Sequence, residues 1–230
     1  VIPELEKINP SIKENIVTFM NDISEINKDI ERETEAFKSQ HFHNSKGIIS
    51  VSIESLLELS DIKLQYLLKS FGVTRSKIQE FRKFLNSSNG AIRNINTFDF
   101  LIDRNQLLIR HSENKVVIDP IKVYELPFNF EIGSSKYQLS KTDKRDLIFE
   151  ANKLYCDFRK IELPLTIRPS NEGEKFTPFG SKQCKLISDI LINKKISLFE
   201  KEEIFLIEDA LQHSIFLEVI TSSDNLKVTN

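Results

Sequence analysis

Between Leu163 and Lys201 the chain gathers the residue types that could seat a phosphate. From Arg168 to Lys195, the basic residues Arg168, Lys175, Lys182, Lys185, Lys194 and Lys195 stand against only Glu172, Glu174 and Asp189. The 230-residue chain as a whole carries a formal net charge of −2, so this is a local basic patch on a slightly acidic protein. Gly173 and Gly180 bracket Phe176 and Pro178 in a loop. Such glycines let the backbone approach a ligand closely and expose its N–H groups. A helical run from Leu186 to Ile192, with Ser188 and Asp189 near its start, would add the positive end of a helix dipole. Lysines beside free amides at a helix start suit a phosphate ligand. The same residues have a plainer reading, in which Arg168 pairs with a carboxylate, the glycines permit turns and the lysines are solvated. Composition leaves both open.

Bond chemistry finds no support in the chain. Its 6 glycines are scattered, with no phosphate-cradling loop, and His-Glu-x-x-His, Cys-x-x-Cys and Gly-x-Ser-x-Gly motifs are missing. No spacing joins the serines, aspartates and histidines into a nucleophile–base set. With 40% hydrophobic and 29% charged residues the chain is globular rather than disordered. It contains no apolar run of membrane-spanning length and no secretory signal. The lone thiols Cys156 and Cys184 suit a reducing, cytoplasmic location. The first residue is Val1, which suggests that part of the function lies upstream.

The elements that must position the basic stretch come in three parts. Asn9-Pro10-Ser11 is a helix start, with Asn at the cap and Pro at the first helical position. Ile12, Ile16, Phe19, Ile23, Ile26 and Ile30 then recur at alternating spacings of four and three. That predicts one long helix, or two in line, packed on its own domain; the alternative is a coiled-coil dimer through the same seam. His41 and His43 flank Phe42 but lack a third metal ligand, which favours surface histidines. Residues 48–90 read as helices joined by short turns. Ser60 caps one with Leu64, Leu67, Leu68 and Phe71, ended by Gly72. Thr74 caps the next, with Ile78, Phe81, Phe84 and Leu85 inward. Arg75, Lys77, Arg82 and Lys83 on this helix offer either a nucleic-acid face or a solvated side.

From Ile92 the hydrophobic period becomes two, with a turn at Asp103-Arg104-Asn105-Gln106 and further short strands through Leu139. Asp143 to Phe149 is ambiguous. After the glycine loop and its helix come strand-like runs at Ile204–Ile207 and Ile215–Ile220, then an edge strand at Leu226–Thr229. The expected class is α+β: an N-terminal helical module, short β-hairpins, and a small α+β C-terminal domain. The boundaries are 1–110, 111–160 as a β-rich connector, and 161–230.

At Leu163–Lys201 the sequence also resembles a known family. Pro164, Leu165, Arg168, Gly173, Phe176, Pro178, Gly180, Lys182, Lys185, Ser188, Asp189, Leu191, Ile192 and Lys195 match the pattern of the C-terminal domain of bacterial tRNA(Ile)-lysidine synthetases. Pro3–Asn15 resembles the segment where that family's chain leaves its catalytic domain. The Leu101–Ile109 hairpin with Asp103-Arg104 resembles part of its middle domain. The resemblance implies a ligase that uses ATP, with Mg, to attach lysine to the anticodon cytidine of an isoleucine tRNA, so that it reads AUA. It places ATP binding in an N-terminal domain and leaves this chain without a cofactor, a metal or a catalytic residue. It makes the 1–110 module and the C-terminal domain tRNA-gripping parts, with Arg104, Arg168 and the lysines as phosphate contacts and isoleucine tRNA as the partner. A homodimer through the Ile12–Ile30 seam is the alternative.

The sequence departs from the family at several expected phosphate contacts. Glu174-Lys175 stands for Asp-Arg, which keeps the charge and loses the planar fork. Leu186 replaces a lysine, Val219 a glycine, and Thr221 and Asn225 two arginines.

Overall fold

The computed structural model describes residues 9–143, 153–178, 183–218 and 221–222. It divides into two compact units, Val1–Glu113 and Asn114–Asn230. The class is α+β, with helices beside antiparallel sheets.

The first unit opens with α1 (Ile12–His41), a 30-residue helix. Its start lies beyond the expected cap: Asn9 Oδ1 accepts from the Ser11 amide at 3.0 Å, and the helix begins at Ile12. The C-terminal half of α1 packs on α3 (Asp61–Leu68): the Tyr66 hydroxyl donates to Asn27 Oδ1 at 2.7 Å, and Lys69 and Lys63 reach Glu31 and Glu33. The N-terminal half does not follow the expectation. Phe19 is 64% exposed, Ile26 53% and Ile23 41%, so the middle of the seam is open while Ile12, Ile16 and Ile30 are half-buried.

Ile48–Ser52 is a strand where helix was expected. β1 (His43–Ser45) and β2 (Ile48–Ser52) form a hairpin around Lys46 and Gly47, whose φ values of 50° and 77° make a turn matched to the twist of paired strands. Then come α2 (Ile53–Leu57), α3 and α4 (Ile78–Leu85). Ser60 caps α3, its hydroxyl accepting from the Lys63 amide at 3.4 Å. Thr74 makes no cap bond and precedes a 3-10 turn, Arg75–Lys77, that leads into α4. Strands β3 (Ile92–Ile95), β4 (Phe98–Asp103) and β5 (Gln106–His111) complete an antiparallel sheet of order β1-β2-β5-β4-β3. The helices lay Leu64, Leu67, Leu68, Ile78, Phe81 and Phe84 on the sheet residues Val51, Phe100, Ile102, Leu107 and Ile109.

The second unit is built on the sheet β14-β13-β12-β9-β6. Its strands are β6 (Ile121–Val123), β9 (Leu165–Pro169), β12 (Phe205–Glu208), β13 (Ser214–Leu217) and β14 (Thr221–Ser222). Residues expected as a connector supply a strand of it, since β6 pairs antiparallel with β9. Alternation along β9 and β12 sends Leu165, Ile167, Phe205 and Ile207 to one face, under the hairpin β7 (Phe128–Ile132) and β8 (Ser135–Leu139). Leu206 and Leu217 face the other way. There Phe176 and the helix α5 (Ile187–Asn193) cover them with Ile187, Ile190 and Leu191. Between α5 and β12 lies a short helix, α6 (Leu198–Lys201). Ser197 and Glu200 close a capping box on it, a Ser-x-x-Glu signature visible in the sequence.

Several expectations fall outside the described residues: Gly180, Lys182, Val219, Asn225, the strand Leu226–Thr229 and most of Asp143–Phe149.

Candidate nucleic-acid interface

The basic stretch folds onto the second face of the second unit's sheet. Arg168 sits at the end of β9 with side-chain exposure of 17%. Its Nη1 and Nη2 donate to the two carboxylate oxygens of Glu174 at 3.0 and 2.6 Å, and Nη2 also donates to Glu208 Oε2 at 2.6 Å. Glu208 lies on β12, whose Leu206 pairs with Arg168 across the ladder. Hydrogen bonds from Arg168 hold the Glu174 carboxyl below the usual carboxylate range, and the same bonds push the guanidinium pKa up. Arg168 is therefore not an open phosphate fork. The plainer reading of this residue, a carboxylate pair, is the one the geometry supports.

The lysines are placed differently. Lys175 lies on β10 (Lys175–Phe176) and Lys185 on β11 (Lys185–Leu186), strands that pair antiparallel with Lys175 opposite Leu186 and Phe176 opposite Lys185. Phe176 is 1% exposed and anchors this small ribbon in the core. Lys194 and Lys195 follow the end of α5, and Lys195 takes a left-handed φ of 58° as the chain turns toward α6. All four lysines are exposed, and among the described residues none forms an ion pair.

The remaining predicted residues shape the surroundings. Gly173 has φ 74°, and a Cβ there would meet nothing within 4 Å, so it serves a turn rather than a close approach. Pro178 is half-buried; Ser188 and Asp189 are exposed on α5. At seven residues, α5 is a short helix.

Arg104 belongs to the first unit, in the β4–β5 turn, where Arg104 and Asn105 have φ of 46° and 63°. Its Nε donates to Asp103 Oδ2 at 3.0 Å and its amide to Asn89 Oδ1 at 2.7 Å. Arg82 turns inward, its Nε donating to Asp61 Oδ1 at 2.7 Å and its fork reaching the Leu57 and Leu59 carbonyls. Arg75, Lys77 and Lys83 remain exposed, with no ion pair among the described residues.

Asp99 holds a polar cluster on this sheet. Burial would raise its pKa, but hydrogen bonds from Asn94, Ser112 and Arg110 outweigh that and lower it. Among the described residues no group of three or more His, Cys, Asp or Glu side chains could hold a metal ion. No described helix is long and apolar enough to cross a membrane.

Comparison with known proteins falls on both units. Residues 43–113 match the family model described as the TilS substrate binding domain. A tRNA(Ile)-lysidine synthase of Parabacteroides distasonis is 31% identical over 219 residues, 90% of this chain and 47% of that protein. One from Porphyromonas gingivalis is 23% identical over 220 residues, again 90% and 47%. One from Clostridium acetobutylicum is 42% identical over 67 residues, 28% of this chain and 14% of that protein. The chain spans about half the length of the full-coverage relatives. The match covers α2 to α4 and the first sheet, within the 1–110 module that the resemblance made a tRNA-gripping part through its Leu101–Ile109 hairpin. The chain thus belongs to the tRNA(Ile)-lysidine synthase family, which it resembles along nine-tenths of its length, and its residues 43–113 match the TilS substrate binding domain.

Proposed function

We propose that this chain is the tRNA-binding, non-catalytic portion of a tRNA(Ile)-lysidine synthase. The carrying observation is the 31% identity to the Parabacteroides distasonis protein across 90% of the chain. The parent enzyme would join lysine to the wobble cytidine of isoleucine tRNA in the cytoplasm, using ATP and Mg held by another part of the protein. Exposed cations in each unit support the reading. Arg75, Lys77 and Lys83 stand on the first, and Lys175, Lys185, Lys194 and Lys195 on the second. Phosphate oxygens take point charges from such side chains without demanding a base sequence. Base choice then falls to other contacts of the parent enzyme.

The test is salt-dependent binding of isoleucine tRNA to the whole chain. Each phosphate contact on a duplex steepens the fall of log affinity with log salt by about 0.9. Changing Lys175, Lys185, Lys194 and Lys195 together to Ala should weaken binding about a hundredfold at low salt and flatten the slope by about 2 to 4. Unchanged affinity and slope would overturn the reading for the second unit. The same outcome for Arg75, Lys77 and Lys83 would overturn it for the first.

A second reading, self-association through α1, rests on the exposed Phe19, Met20, Ile23 and Ile26. The seam gives it little length. Asn27 is committed to Tyr66, and Ile30 is half-buried. Across a parallel pair Asp22 and Asp29 beside the seam would face Asn27 and Thr34 rather than a cation. Sedimentation should therefore find a monomer at micromolar concentration.

A further inference from the structure

Arg168 sits inside the basic stretch yet brings no net positive charge to it. Its guanidinium stands between the carboxylates of Glu174 and Glu208, both within 2.6 Å of Nη2, and Nη1 also donates to the Pro169 carbonyl at 3.0 Å. One cation against two anions leaves the trio net negative. A phosphate would have to displace a carboxylate already held bidentately, with like charge beside it.

Glu174 is the joint of the local structure. Its Oε2 accepts from the Asn171 amide at 2.7 Å and closes the turn that contains Gly173. Its carbonyl accepts from the Ile187 amide at 2.9 Å, which ties in the first residue of α5. The next residue, Lys175, begins β10, and Lys185 lies on its partner strand. Arg168 itself is fixed by the β9–β12 ladder. A rigid strand thus grips, through one carboxylate, the point from which the turn, the ribbon and the helix start all depart.

We propose that Arg168 is a positioning residue for the tRNA interface: with Glu174 and Glu208 it sets where Lys175, Lys185 and α5 stand, and it touches no phosphate. This rests on the tRNA-binding reading above and assigns the work within it. An arginine suits the task because its planar fork engages two carboxylates in a fixed geometry, which a lysine cannot reproduce.

The decisive experiment is the sign of one substitution in the whole chain. Glu174→Gln removes a negative charge near the proposed interface. If Arg168 were a phosphate contact masked by Glu174, this variant would bind isoleucine tRNA more tightly. With Arg168 as positioner it binds more weakly, by about five- to tenfold, because the joint is loosened. Arg168→Met should weaken binding by a similar factor, and the double variant no further than the worse single one. Arg168→Lys, which keeps the charge, should fail to restore affinity. All four are compared below their unfolding midpoints, so that lost binding reports placement and not unfolding. Tighter binding by Glu174→Gln, multiplying effects in the double variant, or full affinity of Arg168→Lys would each overturn the proposal.

If tRNA affinity ignores the four-lysine variant, the tRNA reading of this unit fails. The positioning claim is then read on the free chain, from hydrogen exchange at the Asn171 and Ile187 amides. Arg168→Met should speed both, and unchanged exchange would overturn it.

Discussion

The two units treat positive charge by the same division of labour and reach different surfaces. In the first, Arg82, Arg93, Arg104 and Arg110 all engage carboxylates, on Asp61, Glu80, Asp103 and Asp99. Arg93 also lies over the Phe84 ring at 5.4 Å. In the second, Arg168 and Arg159 do likewise, and the hydrogen bonds of Arg159 hold the Asp157 carboxyl at about 2. The difference lies in where the lysines without an ion pair among the described residues stand. In the first unit these include Lys77 and Lys83, at α4 and its lead-in turn, while Lys63 and Lys69 are paired. In the second, Lys136 pairs with Glu131, and the exposed Lys175, Lys185, Lys194 and Lys195, without an ion pair among the described residues, gather within one stretch of twenty-one residues. A fork with delocalised charge locks into fixed geometry at modest dehydration cost, while a compact ammonium stays hydrated unless a partner is near. The lesson is that a basic stretch should be split by residue type before it is read as an interface.

The largest expected effect tests what anchors each surface. Phe176 and Phe81 are 1% and 0% exposed, one per unit. Truncating either to Ala should cost about 3–5 kcal/mol in chemical denaturation. Their surroundings differ, which sharpens the contrast. Phe81 meets the rings of Phe84 and Phe100 at 5.7 and 5.3 Å, whereas Phe176 lies among Ile187, Ile190, Leu191, Leu206 and Leu217. Replacement by Leu should therefore cost more at Phe81, by about 1 kcal/mol, because among the described residues only Phe81 of the two has aromatic partners to lose. Equal costs for the Leu variants would break the contrast.

Two glycines give a smaller effect with the same logic. Gly72 and Gly173 both have left-handed φ, 87° and 74°. A Cβ on Gly72 would collide with the Asn96 side-chain amide, while one on Gly173 would meet nothing within 4 Å. Gly173→Ala should thus cost only the backbone penalty, about 1–2 kcal/mol. Gly72→Ala should exceed it by about 1 kcal/mol, since Asn96 must move from a turn where its own φ is 53°. A Gly173 variant as costly as the Gly72 variant would show a close neighbour that the geometry lacks.

How much of this was legible follows from where the signals are local. Ser60 as a cap, Gly72 as a helix terminator and the Asp103–Gln106 turn are written in adjacent residues, and the structure has them. The strand at Ile48–Ser52 was read as helix, because Ile-Ile-Ser-Val-Ser is too short to show a period and its pairing with β5 is remote in sequence. The exposure of Phe19 and Ile26 was hidden for a similar reason: a heptad seam records an apolar stripe and not what covers it. At the interface, the density of charge around Arg168 was visible, but Glu208 lies 40 residues away and only the β9–β12 pairing brings it in. The matched segment at 43–113 carries no comparable density, since its cations are spread over helices and its arginines mostly face carboxylates.

The smallest expected effect concerns the tyrosines of the two units. Tyr66 donates to a neutral amide oxygen on Asn27 at 2.7 Å; Tyr137 donates to the Glu218 carboxylate at 3.1 Å. Burial, and after it the nearby Glu218 charge, pushes the Tyr137 phenol up to about 12. The unfolded phenol titrates near about 10. Between those values the unfolded chain gives up its proton first, so stability is fully present below pH about 10 and declines as pH rises toward about 12. Tyr137→Phe removes the group that titrates and the bond to Glu218 together. It should lower stability at neutral pH by about 1 kcal/mol and make the alkaline decline shallower than in the parent. Denaturation curves taken across that pH range check it, and parallel declines in parent and variant would remove Tyr137 as the source.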